Sequence, residues 1–175
     1  DALDANQTAN NNVAVGYAAL GANTTGTSNT AVGTNAGDSI TTGIRNVVIG
    51  HDAGAAMTTT NDMIAIGWQA LDAATTGENV AVGSAALGAN TSGTLNVAVG
   101  NWTLDANIGG GSNVAIGQSA LSANTSSSEN VAVGREALAT QTTGTRNVAV
   151  GAYPLKLSTA NDLVAIGCTA LDANT

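Results

Sequence analysis

The sequence predicts an all-β fold, a parallel β-solenoid (β-roll) of ten coils of about 17 residues, filling 1–175 as one repetitive segment. Three observations carry that prediction. A tetrad Val-Ala-Val-Gly, or a close variant, recurs ten times, with glycines at Gly16, Gly33, Gly50, Gly67, Gly83, Gly100, Gly117, Gly134, Gly151 and Gly167. Successive glycines stand 17 residues apart, with two spacings of 16. Within the tetrad, apolar residues alternate with period two and are rich in β-branched side chains, which favours strand over helix. A unit this short is also too small for a helix-turn-helix repeat.

Each coil opens on the tetrad strand. The consensus then runs Gly-x-x-Ala-Leu-x-Ala-Asn-Thr-Thr-Gly-Thr-x to the next Asn. The two glycine slots punctuate turns, and a second short strand is expected around Ala-Leu. The 16-residue units lose a residue between the second glycine slot and the asparagine slot, as in Gly77-Glu78-Asn79, which marks that stretch as a loop. Coils stacked about 4.8 Å apart give a rod of roughly 48 Å. Both ends of the chain fall mid-unit, at Ala2-Leu3-Asp4-Ala5-Asn6 and Ala170-Leu171-Asp172-Ala173-Asn174, without a polar cap. Arrays need capping units, so a longer parent array is expected on both sides.

Alternation assigns faces. Val13 and Val15 share one face and Ala14 takes the other. The expectation is a narrow core of tetrad valines and the Ala-Leu leucines, consistent with a chain that has no Phe. The asparagine slot (Asn12, Asn29, Asn46, Asn79, Asn96, Asn113, Asn130, Asn147) suits left-handed turns and a stacked amide ladder. Met63 and Leu163 interrupt it, each after Asn-Asp, and a different turn is expected there. A threonine column runs through Thr24, Thr41, Thr58, Thr75, Thr91, Thr125, Thr142 and Thr159, broken by Ile108.

The opposite face carries Ala14, Ala31, Val48, Ala65, Ala81, Ala98, Ala115, Ala132, Ala149 and Ala165. A solvated strand face normally carries polar residues. Either these alanines tolerate exposure, or they form a close-packed interface with sister chains.

Asn-Val-Ala-Val-Gly, Asn-Thr-Ala-Val-Gly and Asn-Val-Ala-Ile-Gly resemble the head repeats of YadA-like trimeric autotransporter adhesins. The longer unit, with Ala-Leu and Asn-Thr-Thr-Gly, is similar to repeats of phage tail fibres and large bacterial surface proteins. The resemblance covers essentially the whole chain. It implies a left-handed β-roll, a homotrimer, and an extracellular location on a virion tail or bacterial cell surface.

The residues offer little chemistry. Four Lys and Arg in a chain of net charge −8 leave no basic stripe for nucleic acid. No apolar run is long enough to insert as a membrane helix. His51 and Cys168 are the only residues of their types and lie seven coils apart, so no catalytic set is expected, and no cofactor. The acids do not follow the spacing of calcium-binding nonapeptides. Asp38, Asp72, Asp105 and Asp172 share a column and are read as solubilising, not metal-binding. Asn23-Thr24-Thr25, Asn90-Thr91-Ser92 and Asn124-Thr125-Ser126 match a glycosylation acceptor, but the consensus generates such triplets by itself.

Individuality is confined to the two positions after each tetrad glycine, which hold Tyr17, His51, Trp68, Trp102 and Tyr153. Two readings stand: local packing at a corner of the roll, or contact with a receptor or glycan. The function expected is a structural or adhesive fibre segment that extends reach and associates with itself. The alternative is an ice-binding solenoid using its threonine ladders. That alternative needs Thr-x-Thr pairs, present at Thr25 and Thr27 and at Thr143 and Thr145, but lost at Thr42/Ile44 and Thr76/Glu78.

Overall fold

The computed structural model describes residues 1–155 and 160–172; Thr159, Ala173 and Asn174 lie outside this range. Ten strands of three residues form one parallel sheet in sequence order. They are β1 (Val13–Val15), β2 (Thr30–Val32), β3 (Val47–Ile49), β4 (Ile64–Ile66), β5 (Val80–Val82), β6 (Val97–Val99), β7 (Val114–Ile116), β8 (Val131–Val133), β9 (Val148–Val150) and β10 (Val164–Ile166). Each strand pairs in register with the next, central residue on central residue, as Ala81 on Ala98. The chain is a β-solenoid of about nine turns. Coil n is named here for the strand βn that opens it.

There is one strand per coil among the described residues, not two. The Ala-Leu segment is a turn, closed in coil 5 by Gly88 N–H to Ala85 C=O at 3.1 Å and Asn90 N–H to Leu87 C=O at 3.1 Å. Its leucine is left-handed: Leu71, Leu87, Leu104 and Leu121 all have φ 52°. Such a backbone costs a non-glycine residue about 1–2 kcal/mol. Full burial of a leucine side chain stabilises by about 1.5–3 kcal/mol, so the turn holds while its leucine stays inside. Leu20, Leu71, Leu87, Leu104, Leu121, Leu138 and Leu155 are all fully buried.

The faces of the strands are the reverse of those expected. Ala31, Val48, Ala65, Ala81, Ala98, Ala115, Ala132 and Ala149 are fully buried, Ala165 is 3% exposed, and Ala14 packs partly buried against the same core. These residues cannot form an interface with sister chains, because they line the inside of their own. The flanking valines and isoleucines face outward, half-buried along most of the sheet and exposed at its ends and at Ile116. The reason is cross-section. Strand, leucine turn and asparagine turn converge on one axis, and a branched residue from every strand would overfill it. Coil 3 demonstrates the constraint. There Val48 replaces the central alanine, Gly54 replaces leucine and Met57 replaces a buried asparagine; a Cβ on Gly54 would stand 2.6 Å from Met57 Sδ and 3.3 Å from Val48 Cγ1. Coil 2 makes the same exchange with Gly37 and Ile40.

The asparagine slot forms the expected ladder, fully buried from Asn29 onward apart from the Met63 break. Asn96 shows the pattern. Its Nδ2 donates to Gly110 C=O at 2.8 Å, and its Oδ1 accepts from the Asn113 backbone N–H at 3.0 Å. The side chain thus closes its own coil and receives the next. A second ladder, not anticipated, runs through the buried Asn90, Asn107 and Asn124, with Asn107 Nδ2 on Asn90 Oδ1 at 2.8 Å and Asn124 Nδ2 on Asn107 Oδ1 at 2.9 Å. Burial of Asn23, Asn90 and Asn124 takes the acceptor asparagine of all three triplets off the surface.

At Met63 and Leu163 the expected change of turn is absent. Asp62 and Asp162 both have φ 58°, close to Ser28 at 61°. The amides of Met63 and Leu163 still reach Asn46 Oδ1 and Asn147 Oδ1, at 3.1 and 2.9 Å. Met63 even substitutes as acceptor, its Sδ 3.4 Å from Asn79 N. The missing residue of coil 4 also lies earlier than expected. Glu78 N–H meets Asn61 C=O as Ser112 N–H meets Thr94 C=O, so Gly77 stands one slot beyond the second glycine and the gap precedes it.

Two predictions follow from the stacking. Gly83 has φ 141°, and its Cβ would stand on the carbonyl of Gly100, whereas a Cβ on Gly88 would meet nothing closer than 3.3 Å. Gly83→Ala therefore lowers the melting temperature sharply and Gly88→Ala leaves it nearly unchanged. Asn96→Ala strands several buried groups at about 1–3 kcal/mol each; Asn96→Met costs less in chemical denaturation, because a thioether in this slot accepts an amide.

Candidate functional site

The two residues after each tetrad glycine form a corner that runs the length of the rod. The second of them is left-handed in every coil, for example Gln69 (φ 52°), Ala85 (φ 54°) and Trp102 (φ 54°). Its N–H bonds back to the first corner residue of the preceding coil: Ala85 to Trp68 C=O at 2.8 Å, Trp102 to Ser84 C=O at 2.9 Å, Tyr153 to Arg135 C=O at 2.9 Å. First and second corner residues of successive coils are therefore neighbours. Arg135 proves it, with its guanidinium 4.7 Å from the centroid of the Tyr153 ring.

All five residues singled out in the sequence lie on this corner. Tyr17, Trp68 and Trp102 are 73%, 51% and 46% exposed. His51 pairs with its neighbour Asp52, Nδ1 to Oδ2 at 2.9 Å, and Asp52 also accepts from Asn35 Nδ2 at 3.0 Å. Asn101 Oδ1 accepts from Ser84 N–H at 3.0 Å. The structure brings Arg135 and Tyr153 together and holds Trp68 and Trp102 two coils apart. Tyr17 stands alone at one end, three coils from Trp68.

The chain matches no family model, no curated protein and no solved structure.

Other chemistry is sparse. Among the described residues, no group of three or more His, Cys, Asp and Glu could hold a metal ion. Cys168 is a free, exposed thiol in coil 10, far along the rod from His51 in coil 3. No described helix is long and apolar enough to cross a membrane. The shortened loop of coil 4 leaves a notch of about 460 Å³, lined by Thr60, Thr76, Glu78 and Leu95 among others. Sequence reasoning missed it, although the 16-residue spacing was its signal.

The acidic column behaves as a partly buried stack. Burial pushes the Asp72 carboxyl above the usual carboxylate range, and the charges of Asp52 and Asp38 push the same way. Burial raises Asp105 too, and its Oδ1 is a buried oxygen without a partner among the described residues. The exposed Asp62 and Asp162 are lowered instead, by bidentate hydrogen bonds from Arg45 and Arg146.

A pH dependence follows. Where a folded carboxyl titrates above its unfolded value, the folded state binds more protons, so stability falls as pH rises through that range. Thermal midpoints are expected to rise as pH drops from neutral toward the ordinary carboxylate value. At lower pH the contribution of Asp62 and Asp162 is lost as their carboxylates protonate. Asp105→Asn should raise the midpoint at neutral pH and flatten its rise on acidification, as scanning calorimetry across a pH series will show.

Proposed function

We propose that this chain is a structural and adhesive segment of an extracellular fibre, a phage tail fibre or bacterial cell-surface adhesin, that associates with copies of itself. The observation that carries this reading is the outward face of the sheet. Of the residues flanking the strand centres, only Thr30 is polar; the rest are valine or isoleucine. Single-sided parallel sheets are rare, because both faces of such a sheet are normally covered. An aliphatic strip spanning nine inter-strand steps, about 43 Å at the usual spacing, is the kind of surface that marks an interface. The surface open to self-association is thus the valine and isoleucine strip, not the buried alanines. Three copies, the number that the resemblance to YadA-like heads implies, would bury one strip each.

The threonine column supports a structural role over ice binding. Thr24 Oγ1 donates to Thr41 C=O at 3.1 Å, Thr41 Oγ1 to Thr58 C=O at 3.2 Å, and Thr75 Oγ1 to Thr91 C=O at 2.6 Å. These hydroxyls are committed to the next coil, not to ordered water.

Sedimentation velocity tests the proposal. The chain should sediment as an oligomer, and Val82→Lys/Val99→Lys/Ile116→Lys should convert it to a folded monomer with unchanged far-UV circular dichroism. A wild-type chain that is a soluble monomer at high micromolar concentration would sink the self-association.

A further inference from the structure

We propose that Trp68 and Trp102 form a stacking platform for a linear neutral glycan lying along the rod axis. The inference deepens the adhesive half of the proposed function and rests on it.

The corner geometry gives each aromatic ring a defined neighbour. Tyr153 has Arg135 across from it, and the guanidinium covers its ring. The same backbone bond sets Ser84 across from Trp102 and Ala85 across from Trp68. Both of these neighbours are small. Across that bond neither indole meets a side chain of the size of Arg135, and both stay about half exposed. Burial of a tryptophan is strongly favourable and its exposure is costly. Two exposed indoles flanking the small pair Ser84 and Ala85 therefore mark a surface that gains by being covered.

Spacing and chemistry select the ligand. Trp68 and Trp102 belong to coils 4 and 6, so they are separated along the axis by two inter-strand steps, about 9.6 Å. That is close to the span of two linked pyranose rings, so a linear glycan would place a sugar over each indole and one between, above Ser84 and Ala85. The apolar face of a pyranose stacks on an aromatic ring, while its hydroxyls need planar amides and carboxylates at the edge. The same stretch of corner supplies Gln69 and Asn101, with Asp52 and Gln118 one coil beyond on either side. It holds no Lys or Arg from coil 3 to coil 7, and the chain carries a net charge of −8. An anionic glycan meets no counter-charge there, which leaves a neutral one.

The protein has two tryptophans, so its tryptophan emission, excited at the red edge where tyrosine does not absorb, reports on this platform alone. The full chain is titrated with cellohexaose, maltohexaose, mannohexaose and chitohexaose, and with a polysialic acid fragment as the anionic control. At least one neutral hexasaccharide is expected to shift the emission to the blue and saturate. By isothermal titration calorimetry, Trp68→Ala and Trp102→Ala should each weaken that binding by about tenfold, while Tyr17→Ala leaves it unchanged. Circular dichroism on each variant checks that the fold is intact. Emission unmoved by every neutral glycan, preference for polysialic acid, or binding that survives in the double tryptophan variant would overturn the inference. An oligomeric chain whose emission no glycan moves would overturn this inference alone. Saturable glycan binding by a monomer would overturn the self-association alone.

Discussion

Every coil of this protein is held by the coil beside it, through backbone set directly against backbone. The tetrad glycines make the contact possible, because a side chain at Gly83 would collide with the carbonyl of Gly100. The buried asparagines hold it in register. Each supplies an acceptor to one backbone N–H and a donor to one carbonyl that the turns would otherwise leave unpaired in the interior. Unpaired buried groups are costly, so the ladder fixes where one coil sits on the next. The alternation of faces, the left-handed leucines and the straight corner all depend on that fixed register.

The repeat made the architecture legible. Period, strand position, parallel register and the asparagine ladder all follow from counting glycines and reading columns. The sidedness did not follow. Alternation states that Ala81 and Val82 face opposite ways but not which is inside, and the rule that larger aliphatics go inward assumes room for them. The clue lay in coil 3, where a larger Val48 coincides with Gly54 and Met57: a change that demands compensation six and nine residues later belongs to a packed interior. The second strand expected around Ala-Leu is absent among the described residues, because nothing in Ala-Leu announces a left-handed leucine. That conformation is imposed by packing, as the leucine has nowhere else to bury its side chain.

The candidate site was legible as a pair of variable positions but not as a geometry. Sequence places Trp68 directly after its glycine and Trp102 one residue further on. Only the cross-coil bond from each second corner residue to the first corner residue below it makes these neighbouring rows of one surface. The same bond explains why Arg135 covers Tyr153, a contact between residues 18 positions apart in sequence. A corner built this way takes side chains of very different size, since none of them is buried in the core. Variation can accumulate there without disturbing the ladders.

The hydrogen bonds between coils run nearly parallel to the long axis of the solenoid, each tying a residue to one about a repeat away. Tension applied between the ends thus loads one coil at a time, at whichever end is free. Peeling a single coil releases 17 residues, about 56–61 Å of extended chain, in exchange for about 4.8 Å of rod. A tether made of such coils would lengthen in many small, similar steps instead of breaking at once. Its repetition would serve as a shock absorber as well as a spacer.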